Sequence, residues 1–317
     1  MEYGKVAGID KPVSRIVFGT DRLGSRHLSW LPEHGREHSA FDLLDRSFEL
    51  GYNAFDTARI YRDSERTLGA WVRRCRVRDD VVLISKGCHP DRKGHPRLNA
   101  AAVTRDLHSS LKALGTESID LYLLHYDAPS ATVEPVMEQL NRHVEQGKIT
   151  AIGVSNWSHT RIDSAIEAAA RLGLRSFAAA SAQFSLAEWT RAPWPGAVTL
   201  GGKEQRSARE WYCANDLPVF AWSSLARGFF SKPRSDFAAA YFASEQNNRR
   251  LERAGVIARE YGVTVAQVAL AYVLSHRLRA FAVVGCTTTD KLTKNARALS
   301  LKLDDATLGW LETGRLR

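Results

Sequence analysis

Short apolar segments alternate with longer amphipathic segments along nearly the whole chain. The apolar segments predict eight strands, at residues 14–19, 53–56, 81–86, 119–125, 149–155, 177–183, 218–223 and 282–285. The amphipathic segments predict helices at residues 39–50, 64–74, 99–114, 133–146, 158–172, 203–215, 250–261 with 265–275, and 292–299. In helix 133–146, for example, Val133, Met137 and Leu140 share one helical face. Gly147 suits a left-handed helix end, and Ser158 stands where the next helix needs an N-cap.

This strand–helix alternation favours a parallel sheet with helical crossovers. Eight such units match a closed (β/α)8 TIM barrel, in which sites form at the carboxyl ends of the strands. An open doubly wound sheet is the alternative, but the glycine-rich dinucleotide turn expected after its first strand is absent from the sequence. The sequence contains no convincing linker, so we expect one domain over residues 1–317.

Two predicted connections, residues 185–202 and 226–248, are long for such a fold. Both are rich in aromatic residues, and the first contains Trp189 and Trp194. Long loops in compact domains commonly act as lids or as walls of binding sites, and we expect that role here.

Composition excludes several classes of protein. The chain is 44% hydrophobic and 25% charged, as in ordinary globular proteins. Its net charge is +9, but the basic residues are scattered and the densest run, 73–78, is followed by two aspartates, so we expect no nucleic-acid partner. We expect no membrane span and no export signal. Four cysteines without CxxC spacing fit a cytoplasmic protein with reduced thiols, and no residue cluster has the spacing of a metal site.

Four residues capable of proton chemistry lie at or just after the ends of consecutive predicted strands. Asp56 ends the second strand and Tyr61 follows it, while Lys86 and His125 end the third and fourth strands. An ammonium group beside a tyrosine lowers the phenol pKa from about 10, and an aspartate would orient that ammonium. A neutral histidine can hold a carbonyl oxygen. Each residue alone has an ordinary structural explanation, but together they predict an acid for carbonyl reduction.

These motifs resemble those of the aldo-keto reductase family over nearly the whole chain. Residues 51–61 are similar to the family's first signature, and residues 6–16 resemble the β-hairpin that plugs its barrel bottom. The resemblance implies a (β/α)8 barrel that reduces a small aldehyde or ketone with NADPH. It also implies that Asp56, Tyr61, Lys86 and His125 are the catalytic residues. A regulatory barrel with slow reductase activity, or a sugar-phosphate isomerase or aldolase, is the alternative.

The resemblance further implies a set of cofactor-binding residues. They are Gly19, Thr20 and Asp56 near the nicotinamide; Ser155, Asn156 and Gln183 for its carboxamide; Trp222 stacked on its ring; Ser223, Leu225 and Arg227 around the pyrophosphate; and Gly285, Thr287, Lys291 and Asn295 at the adenosine phosphate. Lys291 stands where an arginine is frequent, and lysine neutralises phosphate only as a point charge. We therefore expect NADPH, with NADH as the second candidate. For the substrate we expect contacts from Arg22, Trp30, Tyr126 and Trp157.

Overall fold

The computed structural model describes residues 1–23, 40–231 and 235–315. Two strands, β1 (Tyr3–Val6) and β2 (Ile9–Ser14), form an antiparallel hairpin. Eight parallel strands then follow: β3 (Ile16–Gly19), β4 (Ala54–Asp56), β5 (Val82–Gly87), β6 (Ile119–Leu124), β7 (Ile149–Ser155), β8 (Ala179–Ser181), β9 (Val219–Ala221) and β10 (Ala280–Val284). They pair in sequence order and β10 returns to β3, which closes the barrel. The predicted (β/α)8 barrel is confirmed.

Helices surround the barrel and connect its strands. Those in the described part of the chain are α1 (Ala40–Glu49), α2 (Ser64–Cys75), α3 (Ala100–Leu114), α4 (Glu134–Glu145), α5 (His159–Leu172), α6 (Arg206–Ala214), α7 (Asp236–Phe242), α8 (Glu245–Tyr261), α9 (Val265–Ser275), α10 (Thr289–Arg297) and α11 (Asp305–Thr313). Ser158 caps α5 by accepting a bond from Arg161 N, as predicted. Gly147, after α4, has φ +69°, which glycine adopts without strain.

The hairpin closes the amino-terminal end of the barrel. Its buried Val6, Ile9 and Val13 belong to one apolar cluster with the side chains that fill the barrel interior, among them Val17, Val82, Leu121, Phe220 and Phe281. Polar bonds tie the hairpin to the starts of the strands: Lys11 Nζ donates to Val81 O at 2.6 Å, and Ser14 N donates to Asn53 Oδ1 at 2.8 Å. The prediction that the hairpin plugs the barrel bottom is confirmed. The carboxyl ends of the strands lie at the opposite end of the barrel, where sites form in this fold.

Two predicted boundaries differ from the structure. Ser14 belongs to the hairpin instead of the first barrel strand, because the chain bends at Arg15, whose Nε bonds to Ala280 O at 2.9 Å. The connection 226–248 is not one loop, since it contains α7 and the first turn of α8. Two serines explain this, because Ser235 and Ser244 accept bonds from Ala238 N and Asn247 N as N-caps.

A second cluster of buried apolar side chains fills the layer between strands and helices. Alternate residues of each strand face this layer or the barrel interior. On β5, Ser85 faces outward and donates to Glu65 Oε1 of α2 at 2.7 Å, while Lys86 faces the carboxyl-end site. In the described ranges, no helix has both the length and the apolar character needed to cross a bilayer.

Candidate active site

The carboxyl ends of β4, β5 and β6 bring three of the expected catalytic residues together. Asp56 is the last residue of β4 and lies beside Ile84 of β5, while Lys86 of β5 lies beside Leu123 of β6. His125 follows β6 directly, and its backbone N donates to Gly87 O at 2.8 Å. Barrel closure therefore assembles side chains that are far apart along the chain.

Lys86 and Asp56 form a buried ion pair. Lys86 Nζ donates to Asp56 Oδ1 at 2.7 Å and Oδ2 at 2.6 Å, and also to Thr57 O at 2.9 Å. The two side chains are only 4% and 5% exposed. Burial raises the pKa of the Asp56 carboxyl, and the ammonium opposes that shift. All of the donors of the ammonium thus have acceptors within the site, and its position is fixed.

Tyr61 lies in the turn between β4 and α2, with its ring 5.2 Å from Lys86 Nζ. Burial and the negative charges of Asp56 and Asp21 hold the pKa of the phenol well above its ordinary value. The direction is opposite to the lowering expected from Lys86, because burial, the largest cause, raises the pKa of this phenol. The phenol consequently remains protonated at neutral pH and can act as an acid only when a basic oxygen develops beside it.

His125 is 7% exposed and lines the same cavity, with its ring centroid 5.9 Å from that of Tyr61. Burial, followed by the charge of Lys86, holds the histidine pKa well below its ordinary value, so the ring is neutral. Its Nδ1 is buried without a hydrogen-bond partner among the described residues. A bare nitrogen is less costly to bury than an unsatisfied N–H. We infer that Nε2 carries the proton and is the nitrogen available to a substrate oxygen.

Sequence reasoning did not identify His89, which packs edge-on against His125 and Tyr126 with both ring centroids 5.0 Å away. It follows β5 by two residues, and its place so close to the end of that strand was the available signal. The three rings form a partly buried aromatic cluster on one side of the site. Burial raises the pKa of Tyr126 to about 12.

A cavity of about 790 Å³ extends from these residues to the start of α10. Twelve of the expected cofactor residues line it: Gly19, Asp56, Ser155, Asn156, Trp222, Ser223, Leu225, Arg227, Gly285, Thr287, Lys291 and Asn295. The expected substrate residues Arg22 and Tyr126 also line it, as does Trp194 of the connection expected to form a wall; Asp21 and Gln267 line it without having been predicted. A long cleft of this kind can hold an extended ligand beside the proton-donating groups.

The far end of the cavity is suited to an anion. Thr288 caps α10 by accepting a bond from Lys291 N, and this helix start directs backbone N–H groups toward the cleft. Lys294 pairs with Asp290 at 2.7 Å. Lys291 forms no ion pair with any residue that the structure describes, and its Nζ lies 3.4 Å from Thr287 Oγ1. Its positive charge is therefore available to a phosphate.

Arg227 crosses the middle of the cleft. Its guanidinium contacts Asp21 Oδ2 at 3.4 Å and Ser223 Oγ at 3.2 Å, which links the loops after β3 and β9. Ser223, Ala226 and Arg227 all have φ near +50°, an uncommon conformation for residues with a side chain. Backbone strain of this kind clusters at ligand-binding sites.

Three of the expected residues that the structure describes do not line the cavity. Thr20 is buried and its Oγ1 donates to Asp56 O at 3.0 Å. This bond joins the end of β4 to the residue that follows β3. Gln183 is fully buried and bonds to the connection after β8. Trp157 is a core residue that packs on Phe177, 5.7 Å away, so its expected substrate contact is wrong. Trp30 lies outside the described residues.

Trp222 lies at the end of β9 and is partly exposed to the cavity, where a planar ring could stack on it. Two further indoles pack against it. Trp194 is stacked on it with a centroid distance of 5.3 Å and an interplanar angle of 20°, and Trp189 lies 5.6 Å away. Both come from the long connection after β8, which the sequence predicted as a wall.

This chain belongs to the aldo/keto reductase family, whose model matches residues 15–312. Membership of this family identifies the chain as an oxidoreductase that acts on carbonyl or alcohol groups. Within the described ranges, no three His, Cys, Asp or Glu side chains gather as candidate metal ligands.

Several curated proteins are similar to it. The norsolorinic acid reductase stcV of Emericella nidulans is 28% identical, over 92% of this chain and 76% of its own length. The aryl-alcohol dehydrogenase GME11368 of Pestalotiopsis microspora is 27% identical, over 95% and 79%. The uncharacterized oxidoreductase YrpG of Bacillus subtilis is 28% identical, over 98% and 95%. The crystal structure of the thermostable aldo-keto reductase Tm1743 with the inhibitor epalrestat matches with a TM-score of 0.75 at 22% identity, covering 99% of both chains, which shows the shared fold.

Proposed function

We propose that this protein reduces an aldehyde or ketone to the alcohol with NADPH as the hydride source. The observation that carries the proposal is the convergence of a protonated Tyr61 and a neutral His125 on one cavity, beside the buried pair Lys86–Asp56. A neutral donor and a high-pKa acid together can hold a carbonyl oxygen and protonate it as negative charge develops.

The residues at the two ends of the cleft fit this cofactor. Trp222 offers a flat face, and Ser155 and Asn156 offer polar groups, beside the reacting end. Arg227 lies midway, and Lys291 with the start of α10 forms the anion-binding end. When bound, the nicotinamide supplies the hydride that the side chains cannot.

Each residue of the tetrad has a separate task. His125 holds the substrate oxygen through Nε2–H, and Tyr61 transfers its hydroxyl proton to that oxygen. Lys86, held by Asp56, lies beside the Tyr61 ring and stabilises the phenolate left after transfer. An aryl aldehyde is the first substrate to test, because relatives such as the Pestalotiopsis enzyme are named aryl-alcohol dehydrogenases.

The test is whether the purified protein consumes NADPH and forms alcohol in equal amounts with an aryl aldehyde. Cofactor preference is tested by comparing the dissociation constants of NADPH and NADH for Lys291→Ala and for the control Lys302→Ala, an exposed lysine that pairs with Glu2. Only Lys291→Ala should weaken NADPH selectively. Absence of both NADPH consumption and alcohol formation contradicts the proposed reduction, and equal losses for both cofactors contradict the phosphate contact.

A further inference from the structure

Residues 185–200, here called the strap, form the connection after β8 and are fastened at their base by Gln183. The amide of Gln183 donates from Nε2 to Ser185 Oγ at 2.9 Å, and its Oε1 accepts from Thr199 Oγ1. Its backbone N donates to Val198 O at 2.9 Å, and its O accepts from Leu200 N at 2.8 Å. One fully buried residue therefore joins the beginning of the strap to its end.

The outer part of the strap is fastened to α7 and α8. Glu188 pairs with Arg250, which is 6% exposed, and its backbone N and O bond to the side-chain amide of Asn247 at 3.0 and 2.7 Å. Thr190 N donates to Tyr241 O at 2.9 Å. These bonds join the strap to neighbouring helices near its first third, and they make it a fixed part of the barrel mouth.

The inner part of the strap crosses the mouth of the cavity. Trp194 lines the cavity, is stacked on Trp222, and contacts Phe237 of α7 at 6.4 Å between centroids. Two residues later, Gly196 lies against Tyr126, since a Cβ at this glycine would be 3.4 Å from Tyr126 Cδ1. The strap thus runs from the stacked indoles of Trp194 and Trp222 to Tyr126, which belongs to the aromatic cluster with His125.

Trp194 lines the same cavity as Tyr61, His125 and Tyr126, so its indole can form part of the wall around a carbonyl compound bound at Tyr61 and His125. A stacked indole offers a large flat apolar surface, which favours a planar substituent over a flexible chain. The stacking on Trp222 and the contact with Phe237 hold the indole in one orientation, so this surface is formed before substrate arrives.

We propose that Trp194 is a specificity-determining residue that selects carbonyl compounds with a flat ring system, and that Gln183 is a positioning residue that acts through the strap. This rests on the proposed carbonyl reduction. The positioning role of Gln183 is argued from its side chain and backbone, which are engaged by residues 185 and 198–200.

The experiment compares naphthaldehyde with butanal as substrates for wild type, Trp194→Ala, Trp194→Phe and the control Trp211→Ala. Trp211 is a partly buried tryptophan on α6 that contacts Asp163 and lies outside the cavity lining. For Trp194→Ala we expect kcat/KM with naphthaldehyde to fall about tenfold or more, mainly through KM. The value for butanal should stay within about threefold, and the phenylalanine variant should retain most of the selectivity.

NADPH affinity and thermal unfolding are measured on each variant. Equal losses for both aldehydes overturn the assignment of Trp194, and so does a weakening of NADPH binding large enough to account for the loss. Reduction of butanal by wild type tests the carbonyl reductase activity separately, so the failure of the selectivity proposal is distinguishable from the failure of the proposed function.

The positioning role is tested by Thr199→Val, which removes the hydroxyl that donates to Gln183 Oε1 at nearly constant volume. We expect a smaller loss, specific for naphthaldehyde, that disappears when the same change is made in Trp194→Ala. A loss that persists in full in the double variant, or no loss in the single variant, overturns positioning through the strap.

Discussion

Lys86 Nζ is bonded to both carboxylate oxygens of Asp56, at 2.7 and 2.6 Å, in a site where the two side chains are almost completely buried. Tyr61 keeps its proton although its ring centroid lies 5.2 Å from the ammonium, because burial, followed by the negative charge of Asp56, raises the pKa of the phenol. The Tyr61 phenol therefore transfers its proton only to a substrate oxygen that becomes basic during reduction.

Removing one partner of this ion pair should lower both stability and activity, and removing both partners should restore only the stability. Asp56→Asn leaves Lys86 buried without its counter-charge, which should cost about 3–5 kcal/mol of unfolding free energy. Activity should fall about a hundredfold or more. The double variant Asp56→Asn with Lys86→Met should recover much of the stability and none of the activity. Denaturant unfolding and steady-state rates measure both, and recovery of activity in the double variant would argue against the tetrad.

The pH profile of reduction should lack a histidine step. The pKa of His125 is lowered in the fold, so the ring stays neutral as pH falls through about 6.5, the ordinary value. The pKa of Tyr61 is raised, so the acid stays protonated well above neutral pH. We expect kcat/KM to be nearly constant from about pH 6 to 8. A loss of activity centred near pH 6.5 would contradict the neutral state of His125.

Acid should destabilise the fold partly through His276. Burial lowers the pKa of this histidine to about 4, and its Nδ1 accepts a bond from Leu278 N at 3.1 Å. Because the folded pKa is below the unfolded value of about 6.5, the associated stability is fully present above pH 6.5. It is lost as pH falls from there to about 4. His276→Gln should therefore show a shallower decline in unfolding free energy over this window than wild type or the exposed control His95→Gln.

The contact between Asp21 and Arg227 should slow cofactor release by a small factor. The two side chains are about one-third exposed, and ion pairs of this kind contribute roughly 0.2–1 kcal/mol. Asp21→Asn should thus accelerate NADPH dissociation by at most about fivefold, as measured by stopped-flow displacement. High salt should accelerate dissociation from wild type more than from the variant. An acceleration of a hundredfold would show that Asp21 contacts the cofactor more directly.

The barrel and the positions of Asp56, Lys86 and His125 could be predicted because they follow from periodicity. Strand ends are visible in the apolar pattern, and parallel strands place their carboxyl ends on one rim. The chemical roles of these residues were suggested by their types. Their spatial convergence required only that the barrel close.

The strap and the helix α7 could not be predicted in the same way. Their conformation depends on bonds between side chains and distant backbone, such as those that Gln183 and Asn247 make, and no periodic pattern encodes these. Trp157 was wrongly predicted to contact substrate, because its position after Asn156 in the sequence does not show whether its side chain enters the cavity or the core. At Asn156 the chain has φ +59°, and the following indole enters the core.

The pKa of Tyr61 also required the structure. Its direction depends first on how deeply the phenol is buried and then on the nearby carboxylates of Asp56 and Asp21, and the strand pattern shows neither. The sequence indicates that Asp56, Lys86 and Tyr61 are neighbours, but it does not show that Lys86 pairs with Asp56.

The central claim is that Tyr61 donates the proton during carbonyl reduction. The most direct test is single-turnover oxidation of bound NADPH by an aryl aldehyde in Tyr61→Phe, with Tyr212→Phe as the control. The Tyr212 hydroxyl is buried and has no hydrogen-bond partner among the described residues, so its removal should leave the rate close to wild type. The account predicts a rate at least about a hundredfold lower for Tyr61→Phe, with unchanged NADPH affinity. A Tyr61→Phe rate near that of wild type would contradict it.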